Sequence, residues 1–418
     1  MNRAIVVGAG VVGATAALAL CERGLQVTLI DAGSEPATGT SAQNGGQLSY
    51  SDNGVVNTPD IFSQMPGLML GLNPAFRFRL GVSRHNLNWL LRFVRASLPT
   101  QSKRHFSAVQ KMAVASRQAM TQWLDTYDWQ FNRRVSRKLY LIENSASLHH
   151  YDKNIALTNQ LGGNQQRISR SQALELEPQL KDVQFNIAGA IYTPEDEVGD
   201  AALFSQEAVA TAEKNFGLKI KYNTKVTSLI IKNGRCQGVQ TDKEEISADY
   251  VVICAGHESP GLVKETGIKL PIVPMTGYSL SIPATSQVPD LSLSDGAHRI
   301  VLCRLGDRLR VAGMADLGWL PDSIPEQRIN QLRKTLRDRF PTFADYDADD
   351  QPWMGHRPQS PTSEPFVGLT KVKGLALNTG HGMLGWTLAA GSAQKLCDEM
   401  GLGKIPNVGR KRTEMAHV

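Results

Sequence analysis

An α/β fold built round a Rossmann-type dinucleotide-binding unit is what the sequence predicts, on three observations. The N-terminus reads strand, glycine turn, helix, strand; two further strand-to-glycine junctions lie far along the chain; and residues 271–318 are rich in short β-type runs. In order, residues 4–7 (AIVV) form a buried strand, Gly8, Ala9 and Gly10 the turn, 11–23 an alanine-rich helix, and 26–30 a second strand closing on Asp31. Gly8 serves the tight turn, Gly10 lets the backbone approach a pyrophosphate, and Gly13 permits close helix packing. The N–H groups at the helix start, on Val11, Val12 and Gly13, are offered to phosphates. Asp31, 18 residues after Gly13, is placed for ribose hydroxyls and disfavours a 2′-phosphate, so FAD or NAD suits the site better than NADP.

The second junction is ISADYVVICAG, a buried strand ending in Ala255-Gly256, after a hairpin-like pair whose turn is Asn233-Gly234. The third is GLALNTGHGMLGWTLAAGSAQKL: a strand, a turn carrying Gly380, Gly382 and Gly385, and a long helix. Three such junctions round one sheet suit a long, two-headed cofactor better than a nicotinamide dinucleotide. Helices are further expected at 107–126, 201–214 and 324–340, the second followed by the strand LKIKY.

At 418 residues, with 41% hydrophobic, 20% charged and 6% aromatic positions, the chain has the composition of a globular protein of two or three domains, not a disordered or multi-span membrane chain. The 18 uncharged residues 4–21 follow Arg3 and end in LALC, as a leader peptide would; their division into strand, glycines and helix argues for a folded unit. Five scattered cysteines form no CxxC or Cys/His cluster, so no metal site is expected and a reducing, cytoplasmic compartment fits.

VVGAGVVG with Asp31, TSAQNGGQLS, DEVGDAALFSQ, PIVPMTGYSLSI, RLRVAGMADLGW, GHRPQSP and LNTGHGMLGWTLAAGS occur in that order. This series resembles the FAD-dependent D-amino-acid oxidase and dehydrogenase superfamily over nearly the whole chain, and within it is most similar to the small subunit of bacterial D-amino-acid dehydrogenase. The resemblance implies a Rossmann-type FAD-binding domain made of 1–56, 195–270 and 352–418. An α+β substrate domain on an antiparallel sheet would be inserted as 57–194 and 271–351. It implies FAD contacts from Gly8, Gly10, Val11, Val12, Gly13, Asp31 and Ala32; from Ser41, Asn44, Gly45, Gly46 and Gln47; from Val226, Ala255 and Gly256; and from Gly380, Gly382, Met383, Leu384, Gly385, Trp386 and Thr387.

The same resemblance implies that a flavin takes a hydride from the substrate Cα, so the protein's task is orientation and no nucleophile is needed. Arg357 in GHRP is the expected carboxylate holder, since a planar guanidinium grips a carboxylate by two parallel hydrogen bonds. Tyr278 would offer its hydroxyl to the same carboxylate, His381 would touch the substrate from the glycine-rich turn whose backbone N–H groups face the flavin, and Arg304 would line the site. Each has a plainer reading as a packed or solvated residue. The chain departs from the bacterial dehydrogenases in SYSDNGVVNTPD after the flavin loop and in Thr362 and Ser363 after GHRPQSP. The expected reaction is oxidative deamination of D-amino acids, with electrons passed to a membrane quinone. An oxygen-using amino- or imino-acid oxidase, a narrow hydroxyproline-type dehydrogenase and an NAD-dependent reductase remain as alternatives.

The net charge of +6 is concentrated. Between 61 and 124 there is no Asp or Glu, but nine basic residues: Arg77, Arg79, Arg84, Arg92, Arg95, Lys103, Arg104, Lys111 and Arg117. Leu87, Leu90, Leu91, Val94 and Leu98 share a helical face with Trp89 and Phe93 beside it, an amphipathic pattern expected to lie on an anionic membrane surface. Peripheral attachment to the inner face of the cell membrane is therefore expected, with no spanning helix and no nucleic-acid partner. The alternative is that this face packs on the rest of the protein.

Overall fold

A computed structural model describes residues 2–63, 67, 75–148 and 151–403. A six-stranded sheet runs Phe366–Leu369, Leu375–Thr379, Tyr250–Ile253, Arg3–Val7, Gln26–Ile30, Lys219–Lys221. Its strands pair in parallel except at the edge formed by Phe366–Leu369. The apolar runs AIVV and YVVI sit at its centre because helices cover one face and the apolar side of a small three-stranded sheet covers the other. The principal helices, in chain order, are α1 (Val11–Glu22), α2 (Arg84–Ala96), α3 (Pro99–Thr126), α4 (Ala201–Phe216), α5 (Glu326–Arg339) and α6 (Gly385–Glu399). Helix α1 lies between α4 and α6, and alanines on all three permit the close approach. The expected helix at 107–126 proves longer: Pro99 begins it, at a position where its missing N–H costs nothing.

A second, nine-stranded sheet is mainly antiparallel. Its path is Trp353–Gln359, Val273–Pro283, Arg308–Leu317, Ile300–Leu305, Ser292–Asp295, Lys138–Ile142, Gly189–Thr193, Gln166–Ser169, with Phe76–Phe78 beside Arg308–Leu317. Helix α5 buries Ile329, Leu332 and Leu336 against one face, over Tyr278, Leu280, Ile282, Leu309 and Val311. The strand Trp353–Gln359 belongs to this sheet, whereas the expected boundary at 352 puts it with the dinucleotide-binding part. One irregularity matters for the site. Thr276 faces Asp316 and Tyr278 faces Gly313, so two residues, Met314 and Ala315, bulge opposite Gly277, and Met314 takes a φ of 53°.

Among the described residues no helix is long and apolar enough to cross a membrane.

Candidate active site

The dinucleotide end is assembled from three strand ends. Gly8 has φ 103°, and a Cβ there would lie 2.6 Å from the Cys254 carbonyl oxygen; a Cβ on Gly13 would lie 1.7 Å from Gly8 O. Only bare glycines let the turn fold this tightly onto α1 and the Tyr250–Ile253 strand. Gly10 caps α1 with no side-chain acceptor, and the first turn holds no acid. Val11 N–H donates to Ser41 Oγ at 3.1 Å. The Asp31 carboxylate accepts from Ala9 N–H at 2.5 Å and Gly33 N–H at 2.6 Å, which fixes it, with Ala32, beside the glycine turn. Ala255 abuts Gly8, Gly256 follows it, and Val226 packs with Val7 and Ile30 under the same edge.

The segment from Gln43 to Ser49 crosses the open face of the large sheet, meeting five strands in turn. Ser279 Oγ donates to Gln43 O at 2.7 Å, Arg310 Nη1 to Asn44 O at 3.0 Å, and Cys303 Sγ to Gly45 O at 3.2 Å. Gln47 Nε2 then donates to Leu293 O at 3.1 Å, and Lys138 Nζ to Ser49 Oγ at 3.0 Å. A Cβ on Gly45 would be 2.8 Å from Val301, and one on Gly46 2.8 Å from Cys303 Sγ, so the backbone lies flat on the sheet. Arg310 and Lys138 were not singled out from sequence. Their strands give no local sign of which face they present. Two buried atoms along this crossing, Gln43 Oε1 and Arg310 Nε, have no protein partner.

At the third junction the side chains are committed elsewhere. His381 is 2% exposed; its Nε2 lies 3.0 Å from Ser392 Oγ inside α6, and burial holds its pKa down at about 3. It is a neutral packing residue, which corrects its expected place among the substrate contacts. Gly380 and Gly382 turn the chain, and a Cβ on Gly382 would strike Gln359 Oε1 at 2.5 Å. Met383 is 50% exposed, while Leu384 packs with Val55, Val109 and Leu388. The Trp386 indole is committed to the core: it donates to Gly199 O at 3.1 Å and packs on Phe204 with centroids 4.7 Å apart. Thr387 Oγ1 accepts from Ser49 N–H at 3.1 Å, so it anchors the crossing segment, and Gly385 starts the helix.

Arg357 is half-buried on the edge strand, paired across to Met275. Its guanidinium lies over Gly277, where a Cβ would be 2.3 Å from Cζ, and Nη1 donates to the Met314 carbonyl at 3.2 Å. The bulge turns that carbonyl toward it. Burial without a compensating acid pulls its pKa down to about 10. Among the described residues no carboxylate pairs with it. Gly277 and Ser279 share a face, the one crossed by the Gln43–Ser49 segment, so Arg357 stands at the edge of that face.

Tyr278 points the other way. Its hydroxyl donates to Asp316 Oδ2 at 2.7 Å, and Asp316 is held by Arg328 at 2.6 Å; both ion-pair side chains are 1% exposed or less. Strand alternation puts the ring under α5, so its expected carboxylate contact is corrected to a core role. Arg304 is corrected too: it is exposed and folds back so that Nε donates to Gly306 O at 3.0 Å. It lies four residues beyond Ile300, the partner of Gly313, roughly 13 Å along the strand from the bulge. Glu143, Asp295 and His298 gather within 4.8 Å, but Arg339 bonds both carboxylates.

Comparison with known proteins follows the same outline. A family model described as FAD dependent oxidoreductase matches residues 3–399. D-amino acid dehydrogenase 2 of Ralstonia nicotianae is 36% identical over 411 residues, covering 94% of this chain and 95% of that one. D-amino acid dehydrogenase of Vibrio vulnificus strain YJ016 is 32% identical over 396 residues, 94% of each chain. In fold, the chain resembles glycine oxidase from Bacillus cereus (TM-score 0.72, 20% identity, covering 97% of this chain and 96% of that one). It also resembles L-proline dehydrogenase from P. horikoshii (TM-score 0.72, 17% identity, 97% and 95%).

Proposed function

This chain belongs to the FAD-dependent oxidoreductase family, and on that premise we propose that it oxidatively deaminates D-amino acids, with Arg357 holding the substrate carboxylate. The residues present fit FAD. Gly8 and Gly13 let the turn close tightly on the start of α1, its N-cap Gly10 brings no side chain of its own between the helix N-terminus and a diphosphate, and Gln43 Oε1 and Arg310 Nε are buried without protein partners along the crossing segment. Gly8, Gly10, Val12, Gly13 and Asp31 would hold the adenine-nucleotide half, and Asn44, Gly45, Gly46 and Gln47 the ring. Bound there, FAD supplies the acceptor for the hydride that leaves the substrate Cα.

The protein's share is orientation. Arg357 fixes the carboxylate, and with it the face of Cα that meets the acceptor; the Met314 carbonyl and bare Gly277 fix Arg357. The amine, bound neutral, loses its proton as the imine forms, and water then yields the 2-oxo acid and ammonia. Two relatives at 32% and 36% identity that are named D-amino acid dehydrogenase support a D-configured substrate. One observation carries the reading: a half-buried guanidinium that no carboxylate of the described residues neutralises, on the sheet face that the glycine-rich segment crosses. We take the electron acceptor to be a membrane quinone, reached by a peripherally attached enzyme.

The test is turnover of paired D- and L-amino acids, with cyclic imino acids included, using an artificial acceptor with and without oxygen. Formation of 2-oxo acid from D-substrates without oxygen supports a dehydrogenase. Equal turnover of L-substrates, or turnover only with oxygen and release of hydrogen peroxide, overturns that part of the reading.

A further inference from the structure

Helix α2 has two apolar faces, and among the described residues only one packs against the rest of the protein. Trp89, Phe93 and Ala96 are buried, the two rings stacked with centroids 5.0 Å apart on Val273, Met275, Ala315 and Leu317. Trp89 Nε1 donates to Gln359 O at 2.9 Å, which ties the helix to the strand that carries Arg357. On the opposite side Leu87, Leu91 and Val94 are 57%, 64% and 38% exposed and fall within roughly 60° of arc. Leu98, 48% exposed, continues the apolar surface into the turn before α3. A single exposed leucine needs no explanation, but a row on one face does.

Charge says what covers it. Arg84 and Arg95 are exposed and stand roughly 60–80° round the helix from Leu87, with Lys103 and Arg104 exposed at the start of α3. Nowhere from 61 to 124 is there an acid to offset them. An apolar stripe with arginines along one flank and no acid on its helix matches an anionic bilayer surface, whose acyl boundary takes leucines and whose headgroups take arginines. A second copy of this chain would bring the same positive flank against itself.

We infer that α2 is the membrane-docking element of this protein, seating Leu87, Leu91 and Val94 in an anionic leaflet. The inference rests on the reading above of a quinone-linked enzyme and gives that reading its geometry. Met275, under α2, is the cross-strand partner of Arg357, so the leaflet would lie about one helix thickness, roughly 10 Å, from the strand pair of the substrate site. A lipid-soluble acceptor would then reach the enzyme on the side of the reaction.

The experiment is sedimentation of the FAD-loaded enzyme with vesicles of phosphatidylcholine alone or with a third phosphatidylglycerol, at low and high salt. Binding to anionic vesicles is expected at low salt and is weakened by salt. The double variant Leu87→Gln/Leu91→Gln should lower partitioning at least about tenfold, because it withdraws two leucines from the acyl boundary, and Arg84→Gln/Arg95→Gln should flatten the salt dependence. Both variants should keep wild-type melting temperature and turnover with a soluble acceptor, since none of these side chains lies in the buried core or the substrate site. Unchanged partitioning of the leucine variant, or no anionic binding at low salt, overturns the inference; so does conversion of a dimer to a monomer by light scattering in that variant. Loss of D-amino-acid turnover with vesicle binding intact would count against the proposed reaction and leave the docking face standing.

Discussion

Gly277 is bare where the Arg357 guanidinium lies, and a methyl group there would come within 2.3 Å of its Cζ. Gly277→Ala should therefore displace the guanidinium while leaving the FAD end untouched. Misplacement by an ångström at a substrate-orienting group costs about 100-fold in rate. We expect kcat/KM to fall on that order with flavin content unchanged; wild-type kinetics would mean that Arg357 does not orient the substrate.

Arg357→Ala leaves a bound carboxylate without its cation, a loss of about 2–5 kcal/mol and so at least about 30-fold in kcat/KM. Arg357→Lys should recover part of it, because a point charge cannot reproduce two parallel hydrogen bonds. An amine without a carboxylate, if turned over at all, should lose nothing in either variant.

The lowered pKa of Arg357 gives a pH limb. The guanidinium is charged below about 10, so affinity for a simple carboxylate such as propionate should hold through neutral pH and fall as pH rises through about 10. In Arg357→Ala that limb should vanish.

Tyr278→Phe separates the core role from the expected catalytic one. The Asp316–Arg328 pair survives, short of one hydrogen bond, so stability should fall by about 1–2 kcal/mol and KM should stay near wild type. A tenfold rise in KM at unchanged melting temperature would restore Tyr278 to the substrate.

His381 predicts an acid limb of stability. Its folded pKa, about 3, is below the ordinary value of 6.5, so the unfolded chain binds the extra proton in that window. The stability it contributes is present above about 6.5 and is lost progressively as pH falls toward 3. Melting temperature against pH should drop less steeply there in His381→Gln than in wild type.

Much of this was legible in the sequence because the signals were local. The strand, the 8–10–13 glycines, α1 and Asp31 are contiguous, and the Asn233-Gly234 turn lies between strands Val226–Lys232 and Arg235–Thr241, with both residues at positive φ. The GHRP motif singles out Arg357, and the structure puts it at the edge of the crossed face, on the strand opposite Met275. Tyr278 and Arg304 were misplaced because orientation within a sheet depends on register across strands, and a bulge at Met314 decides it here. Arg310 and Lys138 went unnoticed for the same reason: nothing local says that a segment 90 to 270 residues earlier will cross them. Trp386 and His381 sit beside glycines in sequence, but their side chains fill the aromatic cluster and α6.

The most direct measurement of the central claim is anaerobic mixing of the FAD-loaded enzyme with a D-amino acid or its L-enantiomer, following bleaching of the flavin absorbance near 450 nm. The account predicts full bleaching by the D-enantiomer in wild type, none by the L-enantiomer, and bleaching of Arg357→Ala slowed at least about 30-fold at the same concentration although its flavin content is normal. Bleaching by both enantiomers alike, or by the D-enantiomer equally fast in Arg357→Ala, would contradict it.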